Sequence, residues 1–169
     1  MPIEYHKLIK KDKAQYRQVR LECLQNFPDN FGSTYEEESQ KSELKFEQIL
    51  DNEELDNFML GAFHQETLIG ICGFLRGDRL KTKHSGEIVQ MYVKPDFAGQ
   101  KIGKTLLEKT TQLAFQNPEI EQITLSLVAN NTQALHTYDS LGFVEYGLVK
   151  NCFKQGESYW DLRLMILSR

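Results

Sequence analysis

Long apolar runs are missing from this chain. None approaches the ~20 residues that a helical membrane span requires, and the opening segment MPIEYHKLIKKDK carries no apolar signal core. Cysteine is scarce: Cys23, Cys72 and Cys152 are odd in number, far apart and without CxxC spacing. That usage opposes a disulfide framework and suits reduced thiols, so a cytoplasmic location is expected. His6, His64, His84 and His136 are equally scattered and make no metal-ligand cluster, so no metal is expected. Positive charge is not in excess. A formal net charge of −4 lacks the basic footprint of a general nucleic-acid binder. Internal repeats and low-complexity segments do not occur.

What is present is an ordinary globular composition, 40% apolar and 26% charged over 169 residues, enough for one domain, 1–169, with its own core. Alternation over 3–9 predicts a half-buried strand. Asp12 is a candidate N-cap for a helix over 13–26, with Tyr16, Val19, Leu21 and Leu24 as its apolar positions. A loop rich in turn residues and aromatics, NFPDNFGSTY, leads to a second helix expected over 39–54, with Leu44, Ile49 and Leu50 inward. FMLGAFH (58–64) and LIGICGFLR (68–76) read as a hairpin, and EIVQMYV (87–93) as the next strand.

From Lys101 the period changes: Ile102, Leu106, Thr110, Leu113 and Ala114 trace one helical face. Asn117-Pro118 stops that helix, and QITLSLV (122–128) alternates as a strand. A further helix opens on Asn caps, carries Ala134, Leu135, Tyr138 and Leu141 on one face and stops at Gly142. Strands over 144–151 and 158–167 close the chain. The expected class is α/β of the α+β type. It has a mixed, mostly antiparallel central sheet of about seven strands, flanked by about four helices.

The stretch AGQKIGKT, Ala98 to Thr105, has two readings. One is a nucleotide P-loop ending in Gly103-Lys104-Thr105. The other is a turn that presents backbone N–H groups to a pyrophosphate at a helix start. The P-loop fails on context. It needs the first strands of a parallel sheet and a later strand ending in a magnesium-binding Asp, whereas ITLSLVANN lies after hairpins and ends in Asn.

EIVQMYVKPDFAGQKIGKTLLEK followed by ITLSLVANNTQALHTYDSLGF resembles the GNAT superfamily of acyl-CoA N-acyltransferases, in order as well as in motif. YRQVRLECLQNFPDNFGSTYEEE is similar to the N-terminal region of a bacterial branch of that family, so the likeness spans almost the whole chain. The family turn, [QR]-x-x-G-x-[GA], maps onto Ala98, Lys101 and Gly103, and only Gly103 matches. Lys101 must then adopt backbone angles usually left to glycine.

The resemblance implies a GNAT-like fold and an N-acetyltransferase. The enzyme would move the acetyl group of acetyl-CoA to a primary amine, small or peptidic, by direct transfer through a tetrahedral intermediate. The alternative is a catalytically silent CoA-binding regulatory module. The resemblance places Met91, Tyr92 and Val93, through their backbone, and Ala98, Gly99, Gln100, Lys101, Ile102, Gly103, Lys104 and Asn131 around the cofactor. It makes Tyr138 the general acid for the leaving thiolate and Glu87 the base for the amine. Phe27, Phe31 and Tyr35 would line the acceptor side, with Glu36, Glu37 and Glu38 attracting the amine from outside. Cys72 and Cys152 are expected as apolar fillers. The expected partners are the amine and a second copy in a homodimer, with neither nucleic acid nor membrane.

Overall fold

Seven strands form one sheet in the order β1-β2-β3-β4-β5-β7-β6. The structure, a computed structural model, describes residues 2–169. The strands are β1 Ile3–Lys7, β2 Phe58–His64, β3 Thr67–Arg76, β4 Ser85–Val93, β5 Gln122–Val128, β6 Val144–Gln155 and β7 Ser158–Ser168. The helices are α1 Lys13–Asn26, α2 Tyr35–Ser39, α3 Lys45–Asp51, α4 Ile102–Phe115 and α5 Thr132–Ser140. Every neighbouring pair of strands is antiparallel except β4 with β5.

Strand alternation sends side chains to two separate cores. On one face Phe58, Leu60, Ile69, Cys72, Phe74 and Ile88 meet Leu106 and Leu107 of α4 and Tyr138 of α5. On the other, Met59, Leu68, Ile71 and Tyr92 meet Tyr16, Val19 and Cys23 of α1 and Ile49 and Leu50 of α3. Sheet closeness demands glycine at one position beside the site. A Cβ on Gly86 would stand 2.2 Å from Cζ of Phe74.

The helical expectations need three corrections. The helix anticipated over 39–54 is shorter, α3 at Lys45–Asp51, and a separate α2 at Tyr35–Ser39 precedes it, because two carboxylates each start a helix. Glu37 accepts from the Thr34 amide at 3.1 Å while Thr34 Oγ1 accepts from the Glu37 amide, which begins α2 early. Glu47 accepts from the Leu44 amide and begins α3. Asp12 does not cap α1 with its side chain; its carboxylate turns back to the Ile9 amide at 2.9 Å. Leu21 is only half-buried, and the buried stripe of α1 instead runs through Tyr16, Val19, Arg20, Cys23 and Leu24. The remaining elements fall within a few residues of their expected bounds.

Candidate active site

β4 and β5 are hydrogen-bonded only where Ser85, Gly86 and Glu87 face Gln122, Ile123 and Thr124. Beyond that point β4 stays with β3 and β5 stays with β7 as far as Val128, so the two parallel strands part. A bulge turns β4 away: three residue steps from Val89 to Tyr92 oppose two from Gly73 to Ile71. Gln90, at the bulge, has a left-handed φ of 55°. Tyr16 of α1 donates its hydroxyl to Gln90 Oε1 at 2.7 Å and pins it. A bulge at Gln90 therefore separates the two parallel strands. The β4 edge that faces β5 is left unpaired from Ile88 onward.

The gap opens into a cavity of about 910 Å³, near the upper end of the usual range for ligand pockets. Met91, Tyr92 and Val93 line it from β4, and Leu125, Ser126 and Leu127 from β5. Tyr92 turns its ring to the other core and donates to Glu22 Oε1 at 2.9 Å, so it offers the cavity its backbone. Met91 and Val93 support the start of α4: their side chains would lie 3.3 and 3.7 Å from a Cβ on Gly103.

At the α4 end the fit to a pyrophosphate can be tested on the backbone. Lys101 is the N-cap, with φ 61° and ψ 13° and no side-chain cap. A lysine thus takes the left-handed conformation that the family turn gives to glycine, as expected. The first intrahelical bond runs from the Thr105 amide to the Lys101 carbonyl at 3.0 Å. The amides of Ile102, Gly103 and Lys104 precede it and have no helical acceptor. Ala98, Gly99, Lys101, Ile102, Gly103 and Lys104 border the cavity; Gln100 is exposed and does not. Such a cluster of free donors at a helix N-terminus suits an anion. The Ile102 side chain is 3% exposed and belongs to the core, so only its backbone is on offer.

α5 brings Tyr138 to the cavity wall, 8% exposed. Burial raises its phenol above the ordinary range, with the nearby Cys72 adding to the push. Asn131 also borders the cavity, and its Oδ1 accepts from the Ala134 amide at 3.2 Å, which caps α5. From β4, the exposed Glu87 borders the cavity. Its carboxyl is raised by the surrounding protein, with Lys45 working the other way. Cys72 is fully buried and its thiol is pushed up to about 12 by burial, which fits a filler. Cys152 is exposed on β6 and fills nothing, contrary to expectation.

On the far side, Phe27 and Phe31 line the cavity, but Tyr35 does not. Tyr35 is instead the first residue of α2, whose start is held by the capping box at Thr34. The acidic run does not form a free rim either. Glu37 is part of the cap, and Glu38 is buried against Lys41 at 2.7 Å. Among the lining residues that the sequence reading did not single out are Arg20, Gln90 and Phe153. Arg20 had a readable signal, a charge on the apolar stripe of α1 one turn after Tyr16. Phe153 had none, since it reaches the site only because the β6–β7 hairpin brings its ring to within 3.1 Å of where a Gly32 Cβ would stand.

The chain is similar in sequence and in fold to known proteins. The sequence profile of the acetyltransferase (GNAT) family matches residues 19–143. The chain is 28% identical over 138 residues to a spermidine N(1)-acetyltransferase of Vibrio cholerae, covering 81% of this chain and 76% of that one. A spermidine N(1)-acetyltransferase of Thermoplasma acidophilum is 31% identical over 118 residues, 70% of this chain and 63% of its own. Among solved structures, a GNAT-family acetyltransferase of Streptococcus pneumoniae superposes with a TM-score of 0.82 at 21% identity over 99% of both chains. The acetyltransferase yncA of Salmonella typhimurium, solved with acetyl-CoA, superposes at 0.83 and 14% identity over 99% of this chain and 94% of that one. The chain belongs to the acetyltransferase (GNAT) family, whose acyl donor is acetyl-CoA.

Proposed function

We propose that the protein transfers the acetyl group directly to a primary amine inside this cavity, with no covalent acyl-enzyme. The observation that carries the proposal is the gap between β4 and β5, which joins an anion-binding helix start, an unpaired strand edge, Tyr138 and Glu87 in one space. Free amides of Ile102, Gly103 and Lys104 hold the pyrophosphate, and the lysine charges add attraction. The unpaired β4 edge at Met91 to Val93 supplies donors for the pantetheine amides and the thioester carbonyl. One such donor is worth about 3 kcal/mol in acyl transfer. No buried thiol competes as acyl carrier, because the raised values of Cys23 and Cys72 keep both protonated at neutral pH.

An alkylammonium of pKa near ~10 must lose a proton before it attacks. Glu87 takes that proton, directly or through water; its raised carboxyl makes it a better base than an ordinary glutamate. Tyr138 returns a proton to the departing sulfur. Its phenol is protonated at neutral pH and burial makes it a weaker acid, so the transfer proceeds only as negative charge gathers on the sulfur. The amine enters from the side of Phe27 and Phe31. An amine panel with acetyl-CoA, read by free thiol release, tests the proposal. Thiol release that requires an amine supports it, and a complete panel without turnover defeats it.

A further inference from the structure

The acceptor side of the cavity holds a positive charge without a counter-ion. Arg20 lies on α1 and is 3% exposed, yet it lines the cavity together with Phe27, Phe31 and Gln90. Its guanidinium stacks over the Phe31 ring, 5.3 Å from the centroid. Nε and Nη1 are buried and have no hydrogen-bond partner. The buried and half-buried carboxylates of this region are engaged elsewhere. Glu22 pairs with Lys94 at 3.2 Å, Glu38 with Lys41 at 2.7 Å and Glu47 with Arg17 at 2.9 Å. Among the described residues, none forms an ion pair with Arg20.

A buried guanidinium left unpaired is strongly unfavourable. Its planar fork of donors matches a carboxylate, and the match gains strength away from water. Glu87, a carboxylate, borders the same cavity. Glu87 supplies a negative side chain and Arg20 a buried positive one, a pair that complements a zwitterion; Lys45, exposed beside Glu87, borders the same cavity and adds a second positive charge. A polycation would instead bring its charge against Arg20. We propose that Arg20 binds a carboxylate on the acceptor, so the substrate class is an amine that also carries a carboxylate, of the amino-acid type. The inference rests on the acetyl-transfer reading for the identity of this space as the acceptor side.

The test compares α- and ω-amino acids with their methyl esters, and with spermidine, using acetyl-CoA and following thiol release. At least one free acid is expected to exceed its ester by ~10-fold or more in kcat/KM, as for a site built around a lost polar contact. Arg20→Met is expected to bring that ratio close to one. Equal rates for every acid and ester in the wild type, spermidine as the best acceptor, or an undiminished ratio in the variant would each overturn the proposal. Removing an unpaired buried charge is expected to leave the melting temperature equal or higher; Arg20→Gln replaces the variant if it does not fold. A melting-temperature shift by the same acids, measured with CoA present, separates the two readings. Should no amine turn over, acetyl transfer fails, and the shift still decides Arg20. A shift lost in Arg20→Met supports carboxylate binding, and no shift by any acid in the wild type refutes it.

Discussion

Tyr138 and Glu87 are both titratable groups displaced upward, and the same direction serves opposite purposes. A raised phenol stays protonated and ready to donate across the neutral range, so loss of Tyr138 as a donor is displaced above its ordinary ~10. Tyr138→Phe is expected to keep acetyl-CoA affinity and lower kcat by ~10²-fold or more, measured where chemistry limits turnover. An unchanged kcat there would assign the ring to packing alone. As a base Glu87 would act only when ionised, and its carboxyl ionises later than usual. Below that raised value the wild type loses its base; above the ammonium value near ~10 it no longer needs one. Glu87→Gln should therefore lower kcat/KM for the amine by ~10-fold or more between those limits. The deficit should shrink at high pH, and a profile parallel to wild type would remove Glu87 from the chemistry. The family resemblance named both residues, and both border the cavity. Arg20 was harder, since a charge in a helix ordinarily points to water and only its neighbours reveal that this one does not.

The helix start at Lys101 was legible as an element despite two departures from the usual turn, because backbone amides rather than side chains make the site. What the letters did not carry was the origin of the bulge. Gln90 sits within an apolar strand, and its left-handed backbone depends on Tyr16, 74 residues away in the chain. The split between α2 and α3 was likewise hidden, because each new start depends on one carboxylate reaching back three residues. Gly103 tests the amide site. A Cβ there would meet only the flexible end of Met91 at 3.3 Å and Val93 at 3.7 Å. Gly103→Ala is therefore expected to fold well, gaining up to ~1 kcal/mol from helix propensity less a small packing cost. Gly103→Glu places an acid in the first helical turn, where the dipole favours it, so stability should hold. Binding should not: the carboxylate would crowd and repel the pyrophosphate, and calorimetry with acetyl-CoA should show affinity reduced ~10²-fold or more. Retained affinity would move the phosphate site elsewhere.

At the scale of the whole molecule, the cavity divides the sheet. One part holds β1 to β4, the other β5, β7 and β6, and only three residue pairs join β4 to β5. The closed end of this wedge is reinforced by side chains: Arg76 ion-pairs with Asp56 at 3.2 Å and with Glu119. Arg169 donates to the carbonyls of Phe115, Asn117 and Ile120 at 2.7–2.9 Å. Among the described residues no ion pair spans the open end, and its walls come from both parts of the sheet and from α4 and α5. A ligand lying in the wedge contacts both parts at once and binds only the folded form. At a free concentration 100 times its Kd, such a ligand adds about 2.7 kcal/mol, or roughly 5–10 °C for a domain of this size. Acetyl-CoA without magnesium is expected to give that shift in a thermal melt. ATP with magnesium should give none, because the turn at Gly103-Lys104-Thr105 is not followed by an aspartate to hold the metal: β5 runs into Ala129, Asn130 and Asn131. A shift by ATP with magnesium and none by acetyl-CoA would restore the nucleotide reading of the loop and leave the wedge without its ligand.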